Sequence, residues 1–125
     1  MRAAIAPGFS ELFITVNPSG EVTRDGLLNL NMPWLFAPWP EARTKGVIEA
    51  EVEGETLRAL LTFLAAAYKK AGVDFEPINP RTNDMDEDYD VLINGNNYIT
   101  LPNRLDTKLE DGDKVKLKIL WRWDG

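Results

Sequence analysis

The sequence predicts an α+β fold in which a mixed sheet of four to five strands packs on one main helix. Short runs rich in β-branched and aromatic residues alternate in polarity and end at turn-forming residues, a pattern typical of strands. One segment, residues 56–71, repeats its apolar side chains at helical spacing. Strands are predicted on both sides of that segment, so we expect the helix to cover one face of the sheet.

Two strands are predicted before the helix. Residues 11–16 place Leu12, Ile14 and Val16 on one face, because successive side chains of a strand alternate between faces. Residues 47–53 carry three glutamates at alternate positions, with apolar side chains between them. That alternation predicts a half-buried strand with one face in water.

The predicted helix begins after Thr56 and ends before Gly72. Thr56 suits the N-cap position, Lys69 and Lys70 suit the negative C-terminal end, and Gly72 suits the residue after the last turn. The apolar stripe consists of Leu57, Leu60, Leu61, Leu64, Ala65 and Tyr68.

The C-terminal part of the chain contains three turn signals in a fixed order. An apolar run over residues 89–93 ends at a turn formed by Asn94-Gly95 or by the longer segment 94–97, and a short strand is expected near residues 98–101. Residues 105–109 read Leu-Asp-Thr-Lys-Leu and predict one helical turn. Residues 110–113 read Glu-Asp-Gly-Asp and turn the chain into a last strand that extends to Trp121, with apolar side chains on one face and lysines on the other.

This order of turns and strands resembles the ubiquitin-like β-grasp family of sulfur carriers, which includes the small subunit of molybdopterin synthase and the thiamine-pathway carrier. The resemblance runs from about residue 47 to residue 125, with residues 11–16 as the matching first strand. It implies a single β-grasp domain over residues 1–125, with an inserted connection at 17–46 and a C-terminal tail at 121–125. In such a fold the last strand lies in the centre of the sheet, beside the first strand and parallel to it.

The resemblance also implies a function for the terminal glycine. In the family, a partner enzyme uses ATP to adenylate the C-terminal glycine carboxylate, and sulfur then replaces the adenylate to give a thiocarboxylate. The corresponding residue is Gly125, and the chain would be a carrier that binds no cofactor itself and is not an enzyme. The implied partners are a ubiquitin-activating-type adenylyltransferase and a sulfur-accepting synthase subunit. Asp124-Gly125 replaces the family's Gly-Gly and adds negative charge where the tail must approach ATP phosphates.

Two surfaces are candidates for binding such partners. The first surface consists of the outward face of the last strand and the tail. The alternative interpretation of its lysines is that they lie on a solvent-exposed strand face whose charge is balanced by nearby acids. Its residues are Lys114, Lys116, Lys118, Arg122, Trp123 and Asp124.

The second candidate surface is the proline-rich segment 33–40, which carries Trp34, Phe36 and Trp39. Large aromatic side chains are costly to leave in water. The segment therefore either folds back over the domain or docks on another molecule, and docking would imply a dimer through residues 33–40 or a partner enzyme.

Composition excludes several classes of function. The chain has no cysteine and no histidine, so disulfides, thiolate metal sites and Ser-His-Asp chemistry are excluded. A net charge of -6 argues against nucleic acid as a partner. No apolar run is long enough to span a bilayer, and the N-terminal stretch is too short and broken for a signal peptide, so we expect a cytoplasmic protein without a membrane partner.

Asp84, Asp86 and Asp88 have the first spacings of a calcium-binding loop. Tyr89 stands where that loop needs glycine and Gly95 where it needs glutamate, so no metal site is predicted.

The alternative to the carrier hypothesis is a non-catalytic β-grasp subunit that docks on a larger enzyme without carrying sulfur. Catalysis by the chain itself is the weakest hypothesis, since no pair of candidate groups has an interpretable spacing.

Overall fold

The structure is a computed structural model that describes residues 1–8, 10–22 and 33–120, with no description of the side chains at 33, 34 and 43. It is an α+β domain with an antiparallel sheet and one main helix among the described residues. The elements are β1 Arg2–Pro7, β2 Glu11–Val16, α1 Ala42–Lys45, β3 Ile48–Glu51, α2 Leu57–Lys70, β4 Ile78–Asn79, β5 Asp84–Met85, β6 Tyr89–Ile93, β7 Asn96–Asn97 and β8 Lys114–Ile119, with 3-10 turns at Pro33–Phe36, Tyr98–Thr100 and Arg104–Asp106.

The main sheet has six strands in the order β3-β1-β2-β8-β6-β7, and β4 pairs separately with β5. A row of inward-facing side chains crosses five of these strands in register, and each is buried. The row packs under α2, so the core lies between the sheet and the helix. Its members are Ile48, Ile5, Ile14, Val115 and Ile93.

Helix α2 begins and ends where the sequence predicts. The Thr56 side-chain oxygen accepts a 3.1 Å hydrogen bond from the backbone N–H of Ala59, which satisfies one donor of the first turn. At the other end Gly72 has φ 80° and donates to the carbonyl oxygen of Lys69 at 3.0 Å. The buried stripe contains Leu57, Leu60, Leu61, Leu64 and Tyr68.

Strand β1 was not predicted, and it changes the composition of the sheet. Its sequence, Arg-Ala-Ala-Ile-Ala-Pro, has no alternation of polarity, because its alanines are buried on both faces of the strand. Small side chains on both faces give no period-two signal. The prediction of four to five strands in a mixed sheet is therefore wrong: the main sheet has six strands, and every described pairing is antiparallel.

The position of β8 is partly as expected. It lies inside the sheet and beside β2, the strand predicted at residues 11–16, but Glu11 pairs with Lys118 and Thr15 with Lys114, so these two strands are antiparallel. The parallel pairing was wrong because β1 precedes β2 in a hairpin and reverses its direction. Since β2 is antiparallel to both of its neighbours, β1 and β8 run in the same direction on either side of it.

Shorter segments also differ from the prediction. Residues 98–101 are not a strand but contain the 3-10 turn, because the Asn97 side-chain oxygen accepts from Ile99 N–H at 3.1 Å and Thr100 Oγ1 donates to the Asn97 carbonyl at 2.7 Å. The loop at 73–88 contains the β4–β5 hairpin, and the connection at 17–46 contains a 3-10 turn and α1. Among the residues described, no helix has the length and hydropathy needed to cross a bilayer.

Candidate functional site

The C-terminal end of β8 determines where the predicted tail leaves the domain. The N–H of Ile119 donates to the Ser10 carbonyl at 2.9 Å, and the N–H of Leu120 donates to the Asp88 carbonyl at 2.8 Å. The strand is therefore held from both sides up to Leu120, whose side chain is 44% exposed. The predicted site residues beyond this point, Arg122, Trp123, Asp124 and Gly125, lie outside the described residues, as does Trp121, the predicted end of the last strand.

The predicted lysines lie on the face of β8 that points away from α2, while Val115 and Leu117 between them are buried. Lys116 Nζ is 3.4 Å from Glu11 Oε2, so this lysine has an acidic neighbour on β2. Lys118 is directly opposite Glu11 in the strand register, and Asp90 lies opposite it on the other side. The lysines are thus interleaved with acids, and the outer face is mixed in charge rather than purely basic.

A shallow groove of about 390 Å³ lies on the same outer face. Its apolar part is formed by Phe13 and Leu92, which flank Lys116 in the strand register. Lys116 Nζ also lies 5.5 Å from the centre of the Phe13 ring, within range of a cation–π contact. Lys114 borders the groove and lies 3.3 Å from Thr15 Oγ1. Neither Phe13 nor Leu92 was singled out from the sequence, because each is a single apolar residue at an outward position and only the strand register shows that both flank Lys116.

Carboxylates lie near the start of β6, close to where β8 ends. The Tyr89 hydroxyl accepts a 3.3 Å hydrogen bond from the Glu76 N–H. Burial raises the pKa of Tyr89, this hydrogen bond opposes the rise, and nearby negative charges add to it. Those charges belong to Asp74, Asp86 and Asp88.

The acidic run has internal hydrogen bonds. Asp86 Oδ1 accepts from the Asp88 N–H at 3.0 Å, and Asp86 Oδ2 accepts from the Asn79 side chain at 3.3 Å. Asp84 accepts from the Tyr98 hydroxyl at 3.1 Å. Over the part of the chain that the structure covers, no group of acidic side chains has the arrangement of a metal site.

The inserted segment packs against the C-terminal half of α2. Leu35 is fully buried and Phe36 is 4% exposed, so both belong to the core. The Tyr68 hydroxyl donates a 2.7 Å hydrogen bond to the Leu35 carbonyl. The Trp39 ring meets the Tyr68 ring edge to face, with 5.6 Å between centroids. This part of the segment folds back on the domain; the side chain of Trp34 lies outside the description.

The aromatic contacts continue from the inserted segment to β6. Phe75 lies 4.4 Å from Tyr68 and 5.3 Å from Tyr89, measured between ring centroids. Trp39, Tyr68, Phe75 and Tyr89 thus form a continuous series of rings. The series joins the insertion to the strand that neighbours the end of β8.

Two asparagines with left-handed backbones hold the start of β8. Asn17 has φ 41° and Asn94 has φ 52°. The Asn17 side chain donates to Asp111 Oδ1 and the Asn94 side chain to Asp113 Oδ1, both at 2.9 Å. The sequence marks both asparagines as turn residues, but their shared role depends on tertiary contacts that local signals do not report.

Comparisons with known proteins do not assign the chain to a family. No family model, no curated protein and no solved structure matches it. The function of the surfaces described above must therefore be argued from their own residues.

Proposed function

We propose that this protein is a ubiquitin-like sulfur carrier whose Gly125 carboxylate is adenylated by an ATP-using partner and then converted to a thiocarboxylate for sulfur donation in cofactor biosynthesis. The observation that carries the proposal is the placement of β8. This strand lies inside the sheet, is bonded to both neighbours up to its end, and brings the chain to an exposed Leu120 immediately before the tail. A stable strand leading to a surface exit is what a carrier needs to present a terminal carboxylate.

The strand order supports a β-grasp interpretation. If β2 is treated as an added strand, the remaining order is β3-β1-β8-β6-β7. In that order β1 and β8 are neighbours with the same direction, which is the arrangement expected of first and last strands in a β-grasp. We therefore propose a β-grasp fold in which the β1–β2 hairpin inserts one extra strand at the centre of the sheet.

The charges around the exit constrain the partner. Asp86 and Asp88 lie beside Tyr89 near the end of β8, and Asp124 adds a further carboxylate to the tail. An activating enzyme that accepts this tail needs a basic entrance, because like charges at the entrance would oppose docking. Association with such an enzyme should slow as salt concentration rises.

The test uses the purified chain, a candidate activating enzyme, ATP and a sulfur donor. The carboxylate attacks the α-phosphate of ATP, pyrophosphate leaves, and the sulfur donor then displaces AMP from the acyl adenylate. Intact-mass measurement should show the AMP adduct first, and then the mass gain of an oxygen replaced by sulfur. Deletion of Gly125 should abolish both products, while Asp124→Gly should retain them. Modification that persists without Gly125, or no adduct with any adenylyltransferase of this class, would refute the carrier.

The outer-face groove favours a second candidate, an interaction subunit that carries no sulfur. Phe13 and Leu92 give the groove an apolar floor, and Lys114 and Lys116 give it a cationic rim, as expected for a site that binds an acidic segment with an apolar side chain. For this function, Lys116→Glu should weaken binding to a purified partner enzyme, while deletion of Gly125 should not. Binding that depends on Gly125 would favour the carrier instead.

A further inference from the structure

The chain has one Asn-Gly pair, Asn94-Gly95, and it forms the two-residue turn between β6 and β7. Both residues have positive φ, 52° and 85°, as a type I′ hairpin turn requires. We propose that Asn94 is a deamidation site that the folded chain protects, and that its reaction permanently breaks the hydrogen bonds between the β6–β7 turn and the start of β8.

The reaction needs only the chain and water. The backbone nitrogen of Gly95 attacks Cγ of Asn94, a new N–Cγ bond forms, and the Cγ–Nδ2 bond breaks. The amide nitrogen leaves as ammonia, taking up the proton lost from the Gly95 N–H. Water then adds to the resulting succinimide and opens it to aspartate or isoaspartate. Glycine at position 95 favours ring closure because it has no side chain to obstruct the attack.

The folded structure opposes this attack by holding the Asn94 side chain on β8. Its Oδ1 accepts from the Lys114 N–H at 2.9 Å, and its Nδ2 donates to Asp113 Oδ1 at 2.9 Å. The Asn94 backbone N–H also donates to the Lys114 carbonyl at 2.8 Å. Rotating Cγ toward the Gly95 nitrogen would break both side-chain bonds, so ring closure requires local opening of the turn.

The product cannot restore these contacts. Deamidation replaces the donor Nδ2 with a carboxylate oxygen that faces the Asp113 carboxylate, which also accepts from the Glu110 N–H at 2.8 Å. Two carboxylates at hydrogen-bond distance repel each other. Isoaspartate would also lengthen the backbone within a two-residue turn whose register is fixed. The modified turn therefore stays open.

Asn17 provides a comparison within the same chain. Its Oδ1 accepts from the Arg2 N–H at 2.7 Å and its Nδ2 donates to Asp111, which matches the bonding pattern of Asn94. The following residue is Pro18, whose backbone nitrogen carries no hydrogen. The ring closure available to Asn94 is therefore blocked at Asn17. We expect Asn94 to deamidate and Asn17 to remain intact, although their side chains make similar hydrogen bonds.

The first experiment incubates the full chain at mildly alkaline pH, in native buffer and in urea, and maps both asparagines by peptide mass. Deamidation at Asn94 should be at least about tenfold slower in native buffer than in urea, because it depends on local opening. Asn17 should remain unmodified in both conditions. Equal rates at Asn94 in buffer and in urea would overturn the proposal.

The second experiment tests the effect of the product on the turn. Asn94→Asp should lower the urea midpoint, whereas Asn96→Asp, which adds the same charge at an exposed position of the same hairpin, should change it little. Asp113→Asn should reduce the cost of Asn94→Asp, because the amide introduced at 113 can donate to the carboxylate introduced at 94. A midpoint for Asn94→Asp equal to that of Asn96→Asp, or no relief from Asp113→Asn, would contradict the proposal.

Discussion

The Tyr68 hydroxyl donates a 2.7 Å hydrogen bond to the backbone carbonyl of Leu35, and both residues are fully buried. This bond joins α2 to the segment that the sequence presents as an irregular insertion. A buried carbonyl needs a donor, and no water is needed here because the tyrosine supplies it. The insertion around Leu35 is therefore part of the core.

The first prediction concerns this bond. Tyr68→Phe keeps the ring contacts with Trp39 and Phe75 but leaves the Leu35 carbonyl without its buried donor. We expect the free energy of unfolding to fall by about 1–3 kcal/mol. Urea unfolding followed by circular dichroism measures the change, and Tyr98→Phe, which removes a less buried hydroxyl, is the matched comparison. A loss no larger than that of the control would show that the bond contributes little.

The second prediction compares neighbouring positions on opposite faces of β8. Leu117 is fully buried and lies in register with Leu12 and Val91, so Leu117→Ala should destabilise the domain by about 2–5 kcal/mol. Lys116→Ala on the outer face should change stability by about 0.5 kcal/mol or less. Thermal and urea unfolding check both. Similar losses at the two positions would contradict the assignment of the inner face.

The third prediction concerns pH. Arg58 Nε lies 2.8 Å from Asp106 Oδ1, and Arg58 Nη1 lies 3.0 Å from the carbonyl of Asn83. The hydrogen bond from Arg58 lowers the pKa of Asp106 below its ordinary value. Because the folded pKa is depressed, this contribution is complete above the pKa of the unfolded chain and is lost as pH falls through the folded pKa.

Arg58→Met should therefore cost less at a pH below the folded pKa of Asp106, which is itself below the ordinary aspartate value of about 3.9, than at neutral pH. The bond to Asn83 remains at both values, so part of the cost should persist. Urea midpoints of parent and variant at the two pH values measure the difference. Lys108→Met, which removes the exposed contact with Glu55, should show almost no effect at either pH. A pH-independent cost for Arg58→Met would contradict the ion pair.

The fourth prediction concerns the turn before β8. Gly112 has φ 86°, and a side chain built at this position would meet no atom within 4 Å. Its N–H donates to the Val16 carbonyl at 2.7 Å, so the conformation is fixed by the sheet. Gly112→Ala should cost about 1–2 kcal/mol from backbone strain alone. Gly112→Asn should cost less, since asparagine tolerates this region better, and equal losses for the two variants would contradict a strain-based explanation.

Local signals predicted the elements whose determinants lie within a few residues. The Thr56 cap, the leucine stripe of α2 and the glycine at position 72 all act over one or two helical turns, and the helix was predicted correctly. The alternation of Val115 and Leu117 with lysines likewise predicted the faces of β8. When an element is buried on one face only, its apolar residues recur at a regular spacing, and that spacing is visible in the sequence.

Strand β1 and the pairing direction of β8 could not be predicted in the same way. Ala4 and Ala6 are buried on the side of β1 opposite Ala3 and Ile5, so the strand has no polar face to mark it. Without β1, residues 11–16 are predicted as the first strand and β8 as parallel to them, whereas the β1–β2 hairpin makes β2 antiparallel to β8. The wrong pairing direction of β8 thus follows from the absence of a sequence signal for β1, and not from the strands around β1.

The candidate site was predicted in part. The lysines of β8 lie on the outer face as expected, but their neighbours Glu11 and Asp90 come from other strands and are visible only through register. The bond from Tyr68 to Leu35 links residues far apart in the chain, and no periodic pattern indicates it. The role of Gly125 remains a prediction, since it lies outside the described residues.

The insertion of β2 between β1 and β8 has a consequence for how the chain is made. Thr15 pairs with Lys114, so a nascent chain carries the β1–β2 hairpin with an unpaired edge until β8 has been synthesised. Sheets that depend on such distant contacts fold slowly. We expect recovery after dilution from denaturant to fall as protein concentration rises, with self-association competing against completion of the sheet.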